Sequence, residues 1–114
     1  MKNKDERIAF LNDYHKWAPG GNYAEVNHSD WKMQLRFYCH TFKNGAMVIA
    51  TECEQKNRTN EINLRYNLII PAGDNYNPYD QNSGHTSADF QSYTLEGVGI
   101  STIVDYMTKR RDVI

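Results

Sequence analysis

The chain has 114 residues, with 13 Lys+Arg against 14 Asp+Glu, 39% apolar residues, 12% aromatics and a mean hydropathy of -0.78. These figures fit one domain over residues 1–114, long enough to fold without disulfides or a structural metal. No run approaches the roughly 18 apolar residues of a membrane helix, and a formal charge of -1 lacks the clustered cationic excess of nucleic-acid and anionic-membrane binders, so neither partner is expected.

Met1–Arg7 is charged and no apolar core follows it, which does not suit a secretory signal. A cytoplasmic location is the expectation. Cys39 and Cys53 are the only cysteines and read as free thiols in such a setting. Four scattered histidines, His15, His28, His40 and His85, show no ligand spacing with them, so no metal or other cofactor is expected. Cys39 and His40 are sequence neighbours, and neighbours on a strand point to opposite faces, which argues against a nucleophile–base pair.

The first element reads as a helix over about Lys4 to Trp17. Ile8, Phe10, Leu11, Tyr14 and Trp17 share one half of the wheel, Asn3 can cap with Glu6 three residues on, and Pro19-Gly20-Gly21 stops it. Residues 20 to 30 read as a polar connection. From Trp31 the period becomes two, with Met33, Leu35, Phe37 and Cys39 expected inward and Lys32, Gln34, Arg36, Tyr38 and His40 outward.

Lys43-Asn44-Gly45 signals a hairpin returning as Ala46 to Glu54. A two-residue Asn-Gly loop would set Glu52 opposite Phe37 on the apolar face. A three-residue loop with Gly45 left-handed pairs Thr41 with Met47, Cys39 with Ile49 and Leu35 with Cys53, and leaves both glutamates in water. The three-residue bulged turn is therefore predicted.

Glu61 to Ile70 is a third strand, with Ile62, Leu64, Tyr66, Leu68 and Ile70 inward and Asn63, Arg65, Asn67 and Ile69 outward. Residues 72 to 89 hold no apolar run and read as a long loop. Phe90 to Leu95 makes a shorter strand with Tyr93 and Leu95 inward. Ser101 to about Arg111 is an amphipathic helix, in which Asp105 can pair with Lys109. The fold class is α+β: a four-stranded antiparallel meander with the N-terminal and C-terminal helices packed on one face, order α-β-β-β-β-α.

Three regions are candidates for work. In the long loop, Tyr76, Tyr79, Asp80 and Asn82 have the composition of a contact surface, because tyrosine offers large area for little lost rotamer entropy. Equally, one tyrosine could pack back to anchor the loop. The Asp80, Asn82 and Asp89 spacing fails as a calcium loop, with Gly84 and Gln91 at ligand positions. On the expected open sheet face, Arg36, Tyr38, His40 and Arg65 could meet a protein partner or a second copy, with Tyr38, His40, Val48 and Ala50 expected to form a mildly apolar patch there. Stacking of exposed bases there is opposed by Glu52, Glu54 and Glu61. Gly97, Gly99, Ser101 and Thr102 form a turn into a helix that could hold an anion, although no third glycine or P-loop lysine accompanies them.

No catalytic residue is nominated, since carboxylates on an open wet face keep ordinary acidity. The expected function is that of a small non-catalytic binding protein docking a protein partner. An inhibitor of a host defence protein carried by a phage or mobile element, an anti-CRISPR for example, is one such type. The alternatives are a small-ligand or nucleotide-binding module at Gly97–Thr102 and a single-strand nucleic-acid binder on the sheet.

Overall fold

The computed structural model describes residues 3–19, 25–27, 32–55, 62–78 and 93–111. Tyr79, Asp80 and Asn82, with the loop beyond residue 78 and Phe90, lie outside the described residues. The elements are α1 (Lys4–Asn12), a 3-10 turn (Tyr14–Lys16), β1 (Ala18–Pro19), β2 (Glu25–Asn27), β3 (Lys32–Thr41), β4 (Met47–Gln55), β5 (Ile62–Ile70), β6 (Tyr93–Val98) and α2 (Ile100–Lys109). The strands β3, β4, β5 and β6 form an antiparallel meander with both helices on one face, the α+β arrangement expected. Two short strands, β1 and β2, add to the outer edge of β3, so part of the expected polar connection is sheet.

Asn3 caps α1: its Oδ1 accepts the Glu6 N–H at 2.9 Å and its Nδ2 donates to Glu6 Oε1 at 3.2 Å. The α-helix ends at Asn12, short of the expected Trp17, and tightens to a 3-10 turn. The reason is geometric. Leu11, Tyr14 and Trp17 are spaced by threes, so three residues per turn stack all of them on one line, and all three are buried.

The β3–β4 hairpin has the predicted register, with Thr41 opposite Met47 and Leu35 opposite Cys53. Its turn is the three-residue loop Lys43-Asn44-Gly45: the Gly45 N–H donates to the Phe42 carbonyl at 3.0 Å and Gly45 has φ +92°. Asn44 Oδ1 accepts the Ala46 N–H and fixes the loop from within.

The faces of β3 and β4 are the reverse of the expectation. β4 pairs with β5 so that Val48 opposes Leu68, Ala50 opposes Tyr66 and Ile49 opposes Asn67. Even residues therefore stand with even residues through three strands, and odd with odd. The apolar stripe of β3 is odd and that of β5 is even, so the two cannot share a face. The helices take the even face, where β5 supplies Tyr66, Leu68 and Ile70 and β4 supplies the small residues Val48 and Ala50, with Ala46 just before it, all buried. Small side chains let the helices approach the sheet closely, and their larger neighbours Met47 and Ile49 are turned away. Arg36, Tyr38, His40 and Glu52, expected in the open, lie on the helix side. Met33, Leu35, Phe37 and Cys39, expected in the core, lie on the open side and are half-buried.

Aromatic rings fill the helix side of β3. Phe10 meets His40 edge-on at 4.8 Å, Tyr14 meets Tyr38 at 5.4 Å and Tyr66 at 6.3 Å, and Phe10 lies 5.2 Å from Trp17. The Tyr66 hydroxyl donates to the Leu11 carbonyl at 2.6 Å, tying α1 to β5. Burial pushes that phenol up to about 12.

β6 runs to Val98, beyond the expected Leu95, through a bulge: Leu68 opposes Leu95 but Tyr66 opposes Val98. Gly97 occupies the bulge at φ +59°, and its N–H donates to Asn67 Oδ1 at 2.9 Å. α2 begins at Ile100 with Gly99 as cap, one turn position ahead of the expected Ser101, and buries Ile103, Val104, Tyr106 and Met107. Asp105 and Lys109 form the expected pair at 3.3 Å.

Gly45→Ala has room, since an added Cβ would meet only Pro71 Cβ at 3.9 Å, so its cost is the left-handed backbone alone, about 1 kcal/mol. Urea denaturation should show that loss with an unchanged m-value. Gly45→Asn should lose less, because asparagine tolerates this region.

Candidate functional site

Four regions follow from this geometry. The first is the open sheet face. Across β3, β4 and β5 its rows read Leu35, Cys53, Asn63; then Phe37, Thr51, Arg65; then Cys39, Ile49, Asn67; then Thr41, Met47, Ile69. The β3–β4 side of each row is mostly apolar, and the β5 side is polar except at Ile69. The first two rows, with Asn67 and the 41% exposed Leu64, line a groove of about 690 Å³. Burial pushes the Cys39 thiol up, which keeps it protonated and makes it a packing group more than a nucleophile.

The second region lies under α1. Glu52 is only 6% exposed. It accepts the Tyr14 hydroxyl, and His15 Nε2 lies 2.8 Å from the same oxygen, Oε2. A carboxylate expected in water is thus enclosed because the face of β4 is reversed, and the helical segment supplies its partners. Burial and then the Glu52 hydrogen bond push the Tyr14 phenol well above its ordinary value. Arg36, on the same side, reaches Glu54 at 3.3 Å and Gln34 at 2.5 Å. Tyr38 and His40 pack under α1, and burial lowers the His40 imidazole below 6.5. His40 Nε2 is enclosed and finds no hydrogen-bond partner among the described residues.

The third region joins the 71–78 segment to α2. Asp74 accepts Arg110 Nη2 at 2.6 Å, Arg110 Nε at 3.1 Å, the Tyr106 hydroxyl at 2.7 Å and the Tyr76 N–H at 3.0 Å. Asn44 Nδ2 in turn donates to the Tyr106 oxygen at 2.7 Å, so the β3–β4 turn belongs to the same network. Burial alone would raise the Asp74 carboxyl. The Arg110 hydrogen bonds, the Tyr106 hydroxyl, the Tyr76 amide and the Arg110 charge together hold it below its ordinary 3.8. Tyr76 is 5% exposed and sets its ring edge-on to Tyr106 at 4.9 Å, while its hydroxyl donates to Asp105 at 2.8 Å. It anchors the start of the loop and presents no contact area of its own.

The fourth region is the turn into α2. Asn67 already holds the Gly97 N–H, and the Gly99 carbonyl accepts the N–H groups of Thr102 at 3.1 Å and Ile103 at 3.3 Å. Ser101 is exposed in the first turn and makes no capping bond. Of the sheet candidates, the structure leaves Arg65 on the open face and separates it from Arg36, Tyr38 and His40 by the thickness of the sheet.

What sequence reasoning missed is the surface made by Leu35, Phe37, Cys39, Met47, Ile49 and Cys53. Their alternation was visible, and the signal that assigns their side was the parity of pairing carried on into β5. No family model matches this chain, and neither a curated protein nor a solved structure matches it.

Two groups should shape the acid limb of stability in separate windows. His40 has a lowered value in the fold, so the unfolded chain binds its proton first; the contribution is present above pH 6.5 and is lost as pH falls below that. Asp74 is also lowered, so its contribution is present above 3.8 and lost as pH falls through its depressed folded value. His40→Phe should flatten the first window and, by removing an enclosed unpaired nitrogen, add about 1 kcal/mol at neutral pH. Asp74→Asn should flatten only the second and lower stability at pH 7. Denaturant titrations at several pH values read both outcomes.

Proposed function

We propose that this chain is a small non-catalytic binding protein that docks a protein partner with the open face of its sheet. The observation that carries this reading is a sheet with apolar residues on both sides: the helices cover the even face, and Leu35, Phe37, Cys39, Met47, Ile49 and Cys53 stand together on the other. An apolar stripe of that length costs free energy in water and gains it against a matching surface. A polar margin of Asn63, Arg65 and Asn67 beside an apolar centre is the usual anatomy of a docking surface.

The helix-side clusters support the same reading. Glu52 with Tyr14 and His15, and Asp74 with Arg110 and Tyr106, spend their hydrogen-bonding capacity on holding helices and loop to the sheet. Among the described residues, Phe37 is the one aromatic on the open face, which does not make the ladder of rings that base stacking uses. A protein that works by occlusion, such as an inhibitor directed by a phage or mobile element at a host defence protein, needs only such a face.

Affinity capture with the full chain as bait, compared with Phe37→Asp and Leu35→Ser, tests the assignment. Each variant should reduce recovery of the captured partner about tenfold or more, as expected for a contact worth at least 1.4 kcal/mol, while the melting temperature stays within a few degrees. His15→Ala, on the helix side, should capture as the unaltered chain does. Undiminished capture by both face variants would overturn the proposal. Light scattering should show whether a second copy is the partner, with dimers that dissociate in Phe37→Asp.

A further inference from the structure

Resting on the reading that the open face docks a protein, we propose that the partner fills the groove over β3, β4 and β5 with an extended apolar segment carrying one acidic side chain, whose carboxylate is taken by Arg65.

The groove has two unlike sides. Leu35, Phe37 and Cys53 line one, and Asn63 and Arg65 line the other, with Thr51 between them. Among the described residues Arg65 is the single charge in this lining, and it has no carboxylate or hydrogen-bond partner there. Other arginines are committed, Arg36 to Glu54 and Gln34, and Arg110 to Asp74. The carboxylates Glu52 and Glu54 are on the far side of the sheet, Glu61 lies outside the described residues, and no described residue of the lining is acidic. The stem of Arg65 passes beside Gly97, with its Nε and Cδ 3.8 and 3.9 Å from the place a Cβ would take. The planar guanidinium fork matches a carboxylate and can bind it through two parallel hydrogen bonds.

The size and openness of the site select a chain segment. A volume of about 690 Å³ lies in the usual range for ligand sites, and the groove is a trough that runs across β3, β4 and β5 and opens to solvent. Phe37, Thr51 and Arg65 form one row. At about 4.8 Å per strand the ends of that row are roughly 10 Å apart, which an extended chain covers in about three residues. The occupant should therefore carry an apolar side chain two to four residues from its Asp or Glu. Asn63, Thr51 and the Nδ2 of Asn67, which has no partner among the described residues, are available to bond the backbone between them, since Asn67 Oδ1 is already used by Gly97.

A random-peptide display selected against the full chain tests this. Recovered sequences should pair an acidic residue with an apolar one two to four positions away, and should lose tenfold or more in affinity against both Arg65→Gln and Phe37→Ser. A second selection against Arg65→Glu should return Lys or Arg in place of the acidic residue. Arg65 is exposed, so both of its variants should melt with the unaltered chain. Peptides sensitive to Phe37→Ser but indifferent to Arg65→Gln and Arg65→Glu would overturn the acidic segment and leave the docking face standing. Peptides indifferent to all three substitutions would overturn both, and a selection that returns no binder would overturn the segment.

Discussion

The pairing of β3 with β4 and of β4 with β5 joins even residues to even and odd to odd, and most of what this molecule presents to solvent follows from that constraint. Strand side chains alternate, so one residue of slip in either register would exchange the two faces of a whole strand. The tight turn at Gly45 sets the first register. The second is set by packing: Tyr66, Leu68 and Ile70 on β5 need the same cover as Val48 and Ala50 on β4 and Ala46 just before it, and the helices supply it. β3 then has no choice, and its own apolar stripe is left on the far side.

Forcing β3 and β4 to turn Arg36, Tyr38, His40 and Glu52 toward the helices requires that those groups be satisfied there. The chain does this with aromatic and charged partners. Tyr14 and His15 come down on Glu52, Arg36 turns to Glu54 and Gln34, and His40 is enclosed by rings as a neutral imidazole. The 3-10 turn after α1 belongs to the same solution, because it aligns Tyr14 and Trp17 with Leu11 over the sheet. At the other end, Asp74 gathers Arg110, Tyr106 and the Tyr76 amide, so that α2, the β3–β4 turn and the 71–78 segment are held by one carboxylate. Breaking one member of such a cluster leaves the rest enclosed and unpaired, which costs more than the single bond.

Local features were legible in the sequence. The Asn3 cap, the bulged turn at Gly45, the β3–β4 register, the inward Tyr66, Leu68 and Ile70 of β5 and the Asp105–Lys109 pair each depend on residues close in the chain or on one hairpin, whereas Leu64, expected inward with them, is 41% exposed. The faces of β3 and β4 were not, because alternation in a single strand says which residues share a side without saying which side is covered. That choice depends on the β4–β5 register, and the polar sequence between those strands carries no turn signal that would fix it. The same gap moved the candidate site: Arg65 stayed outside, whereas Arg36, Tyr38 and His40 went under the helices. Tyr76 was read as either a contact or an anchor, and its buried hydroxyl and amide make it an anchor.

A sheet that is apolar on both faces is an unusual solution for a chain of 114 residues, since one covered face would suffice for its core. Leu35, Phe37, Met47 and Ile49 are half-buried on a side that neither helix covers, and the area they leave in water costs solubility that polar residues at those positions would remove. The helix side shows that this chain accepts polar strand positions, for Arg36 and Glu52 stand on β3 and β4 within the covered face. Simple foldability therefore does not account for the apolar stripe. The docked surface proposed above would account for it, because the area these residues leave exposed would then be buried against the partner.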